Sequence, residues 1–271
     1  MLKQRVITGA CITVVMAAVL AFSHISFVIR GFVSLLSILA VFELYQVSGM
    51  QKKIVPFVIS TIWAAVFSFL PISFYVPLLA AVFGLSMLLS GWNMWKFGKY
   101  QLKKTGIIFL ISLVFPILYN SIAHVRIQKQ GLLYILLIII SCFGTDTGAY
   151  FVGRACGKHK LAPIISPKKT IEGFVGGIAI NVILYLLVGL VMNYGVHLPV
   201  CLPVLAGLGV VCGVLDQFGD LSMSAIKRNF GVKDFGKLMP GHGGVLDRFD
   251  SLLYVGAFVC IFIIWIHPLY I

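Results

Sequence analysis

Long apolar runs, each close to the roughly 20 residues that a helix needs to cross a bilayer, follow one another along this chain and are separated by short polar breaks. Read at that length, they predict about nine transmembrane helices, at approximately residues 6–24, 29–49, 54–71, 75–92, 105–123, 131–152, 173–193, 198–222 and 250–267. The expected fold is all-α, a polytopic integral membrane protein. Composition agrees, because 60% of the 271 residues are hydrophobic, more than a soluble core of this size could bury.

The charges indicate how the runs are threaded. The chain carries 21 Lys and Arg against 8 Asp and Glu, a balance that on a soluble domain would point to nucleic acid. Here the basic residues are scattered over the breaks between spans, which reads as topology and argues against a nucleic-acid partner. With the N-terminus in the cytoplasm, Lys3, Arg5, Lys52, Lys53, Lys96, Lys99, Lys103 and Lys104 fall inside, as do the basic residues of the breaks at 153–170 and 224–249. Only Arg30, Arg126 and Lys129 are left outside. Cytoplasmic loops retain Lys and Arg, so the asymmetry supports an odd number of spans and this orientation.

Lys3 and Arg5 before an apolar run also resemble a signal peptide, with a faint cleavage motif at 21–23, but the run is nearer a full span and is read as retained. Cys11, Cys142, Cys156, Cys201, Cys212 and Cys260 show no C-x-x-C spacing and mostly sit in apolar runs. Neither a disulfide framework nor a zinc site is expected.

The acidic residues are distributed differently. Apart from Glu43, all of them (Asp146, Glu172, Asp216, Asp220, Asp234, Asp247, Asp250) lie in the second half. Residues 1–125 are therefore read as a membrane scaffold of about five helices. Residues 126–271 are read as the catalytic membrane domain, about four helices with two functional cytoplasmic loops.

Four features of that second half carry chemistry. Asp146 ends an otherwise apolar span, where an ionisable group needs water, a partner or an ion; full solvation at the interface is the plainer alternative. Ser166-Pro167 reads as a helix start, serine as cap and proline at the first helical position. Lys168, Lys169 and Thr170 would then fill a first turn whose dipole disfavours positive charge unless an anion docks there. Ordinary membrane anchoring would also explain these lysines, although it does not call for Glu172 beside them.

Asp216 and Asp220 stand four apart on one helical face, with Ser224 continuing the stripe and Lys227 and Arg228 beyond it. Two carboxylates so placed need a cation, and oxygen-only ligands favour magnesium over zinc or copper. A sodium- or proton-coupled transport site would use the same pair. Lastly, the polar stretch from Ser224 to Asp250 holds Lys233, Lys237 and P-G-H-G-G, whose Gly241, Gly243 and Gly244 allow a backbone to approach phosphate closely. His242 within it could orient a phosphate or transfer a proton. Asp247 is the better metal ligand of the two following aspartates, and Asp250 reads as a helix cap or ion-pair partner.

The pattern S-x-x-K-R-x4-K-D-x-G-x3-P-G-H-G-G-x2-D-R-x-D, from Ser224 to Asp250, resembles the signature of phosphatidate cytidylyltransferases, also called CDP-diacylglycerol synthases. The D-x-x-x-D before it and S-P-K-K-T-x-E-G at 166–173 also look like family elements, so the resemblance covers about residues 140–260. Met239 departs from the more usual branched aliphatic or phenylalanine.

The resemblance implies that CTP and phosphatidate react to give CDP-diacylglycerol and pyrophosphate, with magnesium, at the cytoplasmic face of the cell (inner) membrane, in a protein that forms a homodimer. On that reading Asp216, Asp220 and Asp247 hold the metal. Lys227, Arg228 and the Ser166–Thr170 segment neutralise phosphate oxygens, together with Ser224, Lys233, Gly243, Gly244 and Arg248. Asp146 and Glu172 either complete a second cation site or orient these groups, and His242 belongs to the catalytic set. A CTP-dependent lipid kinase has similar parts but transfers the γ-phosphate. A cation-coupled transporter would leave the glycine-rich loop without a role.

Overall fold

A computed structural model describes residues 2–70, 77–84, 87–88, 91, 104–241 and 243–265. The described chain is helical almost throughout: α1 (Leu2–Phe22), α2 (Ser26–Val47), α3 (Ile54–Phe67), α4 (Lys104–Ile127), α5 (Gly131–Cys156), α6 (Ile171–Leu190, continued by a π-helical turn Val191–Gly195), α7 (Leu202–Asn229) and α8 (Asp250–Trp265). Residues 77–84 are also helical, within the expected span 75–92, the rest of which lies largely outside the described residues. So do His242, Lys96, Lys99 and Lys103. The helices α2, α5, α6 with its π turn, and α7 are long and apolar enough to cross a membrane, and α1, α3, α4 and α8 contain shorter apolar segments. The protein is an all-α, multi-pass membrane protein.

One hydrophobic core, from Ile29 on α2 to Phe262 on α8, runs through both halves of the chain. The helix α4 joins them, packing on α2 and on α8. In lipid, association between helices relies on close packing and interhelical hydrogen bonds, and α5 and α6 use both. Gly148 on α5 and Gly173 and Gly177, four apart on α6, leave no room for a Cβ at the crossing. Beside them Ser141, Asn181 and Tyr185 form a buried chain of hydrogen bonds, in which Asn181 Nδ2 reaches Gly209 O on α7 (2.8 Å) and Tyr185 OH reaches Leu137 O (2.9 Å).

The two ends of the bundle differ. At one end Arg126 Nε donates to Ser23 Oγ (2.6 Å) and Arg30 Nη1 to Ser68 O (3.2 Å), so the arginines left outside by the charge pattern share one rim. At the other end stand the start of α1, the end of α2, the C-terminal turns of α5 and α7 and the start of α8. All six cysteines are free thiols.

The 160–170 segment departs from expectation. It is a small antiparallel hairpin, β1 (Lys160–Ala162) with β2 (Ser166–Thr170), pairing Lys160 with Thr170 and Ala162 with Ser166. Ser166 and Pro167 therefore do not start a helix. Thr170 is the cap of α6, extended at φ −123°, ψ 155°, and its Oγ1 accepts from Gly173 N (3.1 Å). The hairpin offers Ser166 and Thr170 partners that a helix start at Ser166 would forgo, and Thr170 is equally suited to capping.

Tyr185→Phe removes one interhelical donor without changing packing, and it should lower stability in detergent by about 0.6–1.7 kcal/mol, read from the unfolding midpoint.

Candidate active site

On β2 Lys168 is exposed and Lys169 half-buried. The hairpin then lies on α7, where Ile165, Leu221 and Ala225 are buried together with Leu161 and Ala162 packed against them. That docking brings Lys169 Nζ to 2.7 Å from Asp220 Oδ2. Burial works against the Lys169 ammonium, yet the Asp220 carboxylate, helped by Asp146 and Asp216, holds its pKa above the ordinary lysine value. A raised lysine keeps its charge, and its share of stability, through neutral pH and loses both only as pH rises past that elevated value.

Around this ion pair four aspartates from three helices come within electrostatic reach of one another: Asp146 (α5), Asp216 and Asp220 (α7) and Asp250 (α8). Lys169, Lys227 and Arg248 are the cations acting on them. Asp216 is wholly buried, and neither of its carboxylate oxygens has a hydrogen-bond partner. Asp220 has Lys169 and, at 3.4 Å, the Ser224 hydroxyl. Asp250 is also buried, its Oδ1 taken by Ser251 N (2.8 Å). An orphaned, buried oxygen pair of this kind fits a hard cation.

The segment from Gly231 to Phe249 folds around a second carboxylate. Asp247 accepts from Lys227 Nζ (2.8 Å) at Oδ1, and from Phe235 N (2.7 Å) and Gly244 N (2.9 Å) at Oδ2. Lys227 also lies over the Phe235 ring. A pair of hydrogen bonds between Met239 and Gly243 closes the proline-glycine turn, with Gly241 at φ +81° and Gly243 at φ +90°, both in the left-handed region that favours glycine. Between this turn and the start of the segment opens a cleft of about 680 Å³, lined among others by Lys233, Lys237, Arg248, Pro240, Gly241 and Gly243. Its volume is that of a small-molecule site, about 300–1,000 Å³.

Several expected site residues thus meet around one centre: Asp146, Lys169, Asp216, Asp220, Ser224, Lys227 and Arg248. Others are occupied differently. Lys169 and Lys168 are not in a helical first turn, so the dipole argument for an anion there falls away. Glu172 turns to the 158–159 backbone and to His159 Nδ1 (2.6 Å). Arg228 donates to two carbonyls, Ile165 O (3.3 Å) and Val232 O (3.0 Å), tying the hairpin to the loop.

Among the described residues no three His, Cys, Asp or Glu side chains are grouped to hold a metal ion. Asp247 in particular has both oxygens engaged, Oδ1 by Lys227 of α7 and Oδ2 by the loop backbone. Two residues carry more than the sequence reading gave them. Asp250 sits in the carboxylate cluster, and Glu43, from the first half, reaches the glycine loop; a lone carboxylate within an apolar span was the signal for Glu43.

The fold and site define a multi-pass membrane protein that gathers carboxylates and lysines beside a basic, glycine-lined cleft. The chain belongs to the Cytidylyltransferase family, whose profile matches residues 3–266. A phosphatidate cytidylyltransferase of Bacillus subtilis (strain 168) is 33% identical over 95% of this chain and 96% of its own length. Proteins of the same name from Staphylococcus saprophyticus and Staphylococcus epidermidis are 45% and 51% identical over 55% and 47% of this chain, alignments that span about half of those relatives.

Asp247→Asn should break the loop's internal anchor and leave Lys227 buried without its partner. Charge-assisted bonds of about 1.5–3 kcal/mol are lost, so tryptic cleavage after the exposed Lys233 and Lys237 should accelerate about tenfold or more, while cleavage elsewhere is unchanged.

Proposed function

We propose that this chain transfers the cytidylyl group of CTP to phosphatidate, releasing pyrophosphate and forming CDP-diacylglycerol at the cytoplasmic face of the cell membrane. The observation that carries the reading is the buried, partnerless carboxylate of Asp216 within electrostatic reach of other aspartates, set beside a basic cleft of nucleotide size. The relatives named phosphatidate cytidylyltransferases point the same way.

The attacking atom is a phosphatidate oxygen, already anionic, so the chemistry requires no serine or cysteine nucleophile. A bond forms from that oxygen to the α-phosphorus of CTP, and the bond between the α-phosphorus and the bridging oxygen breaks as pyrophosphate leaves. The protein's task is alignment and charge neutralisation. Lys233, Lys237 and Arg248 line the cleft and would receive the triphosphate, whose oxygens the glycine turn lets approach the backbone. The lipid would enter sideways, its acyl chains remaining in the bilayer.

Asp216 and Asp220 would hold magnesium, an ion that commonly takes only one or two carboxylates from a protein; Asp247 would keep the loop in shape. Bound there, the ion supplies Lewis-acid neutralisation of phosphate charge. Lys169 then serves as the fixed cation that keeps Asp220 ionised and oriented. The excess of Lys and Arg on the breaks at this end supports a cytoplasmic orientation and an affinity for anionic lipid.

Purified protein given phosphatidate, magnesium and CTP labelled at the α- or the γ-phosphate separates the readings. Label from the α position should enter the lipid and label from γ should leave as pyrophosphate; γ label in lipid would identify a lipid kinase instead. Asp216→Asn should lower turnover by about 100-fold or more, and full turnover in that variant would remove Asp216 from the site.

A further inference from the structure

The loop that lines the cleft is anchored by the first half of the chain. Thr8 on α1 donates to Pro240 O (3.0 Å) and Tyr119 on α4 donates to Phe249 O (3.1 Å). Between them lies Glu43, near the end of α2 and 1% exposed. Its Oε1 accepts from Val245 N and its Oε2 from Leu246 N, each at 2.8 Å. These two N–H groups open the helical turn in which Arg248 N and Phe249 N return to Val245 O. Glu43 thus caps, from another helix, the turn that leads into α8.

Two glycines of the loop are explained by the same carboxylate. A Cβ at Gly236 would collide with Glu43 Oε1 and one at Gly244 with Glu43 Oε2. Neither glycine has a positive φ, so close approach, not backbone conformation, is what requires them. The loop is moulded on Glu43 on one side and on Asp247 on the other, and Gly244 touches both.

We infer that Glu43 is a positioning residue for the nucleotide end of the site. By fixing Val245 and Leu246 it sets where Asp247 and Arg248 stand, and with them the cleft wall formed by Gly243 and Lys233. The inference rests on the cleft being the CTP site. Its consequence is selective: the cleft lined by Lys233, Gly243 and Arg248 depends on Glu43 directly, whereas the hairpin and the aspartates are reached only through Arg248 and Lys227.

The test uses full-length Glu43→Gln in detergent, with steady-state kinetics in both substrates and hydrogen exchange over residues 243–248. Glutamine keeps the shape but turns an amide N–H₂ toward a backbone N–H. The KM for CTP should rise about tenfold, the equivalent of about one hydrogen bond, with the KM for phosphatidate unchanged and the 243–248 amides exchanging about tenfold faster. A fall in kcat with both KM values unchanged would mean only less folded enzyme and would overturn the inference, as would unaltered exchange.

If Glu43→Gln does not fold, the steric relation replaces it. Gly244→Ala should raise the CTP KM, and adding Glu43→Asp, which withdraws the carboxylate by one methylene, should restore part of the loss; absence of any rescue overturns the inference. A wild-type protein inactive toward CTP would sink the proposed function, and the exchange measurement would still decide whether Glu43 holds the loop.

Discussion

Carboxylates buried at the ends of membrane helices need water, a hydrogen-bond partner or a cation, and meeting that need explains why a hairpin exists in an otherwise helical chain. Asp216 and Asp250 are buried, with Asp220 beside them. None of the three helices that bear the aspartates supplies the cation at their centre. Lys169 does, and it arrives on β2, seated by Ile165 against Leu221 and Ala225. The small apolar contact fixes the hairpin, and the hairpin delivers the charge.

A second pair of carboxylates shapes the neighbouring loop. Asp247 gathers Phe235 N and Gly244 N from within and Lys227 from α7, and Glu43 takes Val245 N and Leu246 N from outside. Lys227 and Arg248 belong to both systems, since each acts on the aspartate cluster while one binds Asp247 and the other lines the cleft. Through them the polar end of the bundle behaves as one electrostatic unit, assembled from α1, α2, α4, α5, α7, α8 and the hairpin. The first half of the chain contributes directly to the loop's geometry.

Much of this was legible in the sequence. The apolar runs located most of the described helices to within four residues, because lipid allows few alternatives to a helix, although α7 runs on to Asn229, seven residues past the expected end; the i, i+4 spacing put Asp216 and Asp220 on one face. What was misread depended on tertiary partners. Ser166-Pro167 has the local form of a helix start, but the docked hairpin paired Ser166 with Ala162 and left capping to Thr170. Asp247 looked like a free ligand because nothing local shows that Phe235 N and Gly244 N converge on it. Glu43 was visible as an isolated carboxylate, yet its partners lie some 200 positions away.

Lys169 carries the charge that lets the aspartates share one site. The most direct measurement is the unfolding free energy of Lys169→Met in the wild-type and Asp220→Asn backgrounds. Removing the cation beside an intact carboxylate should cost about 3–5 kcal/mol, and the cost should shrink markedly once Asp220 is neutral. An equal cost in both backgrounds would show that the two residues are energetically independent and that Lys169 does not hold the aspartates together.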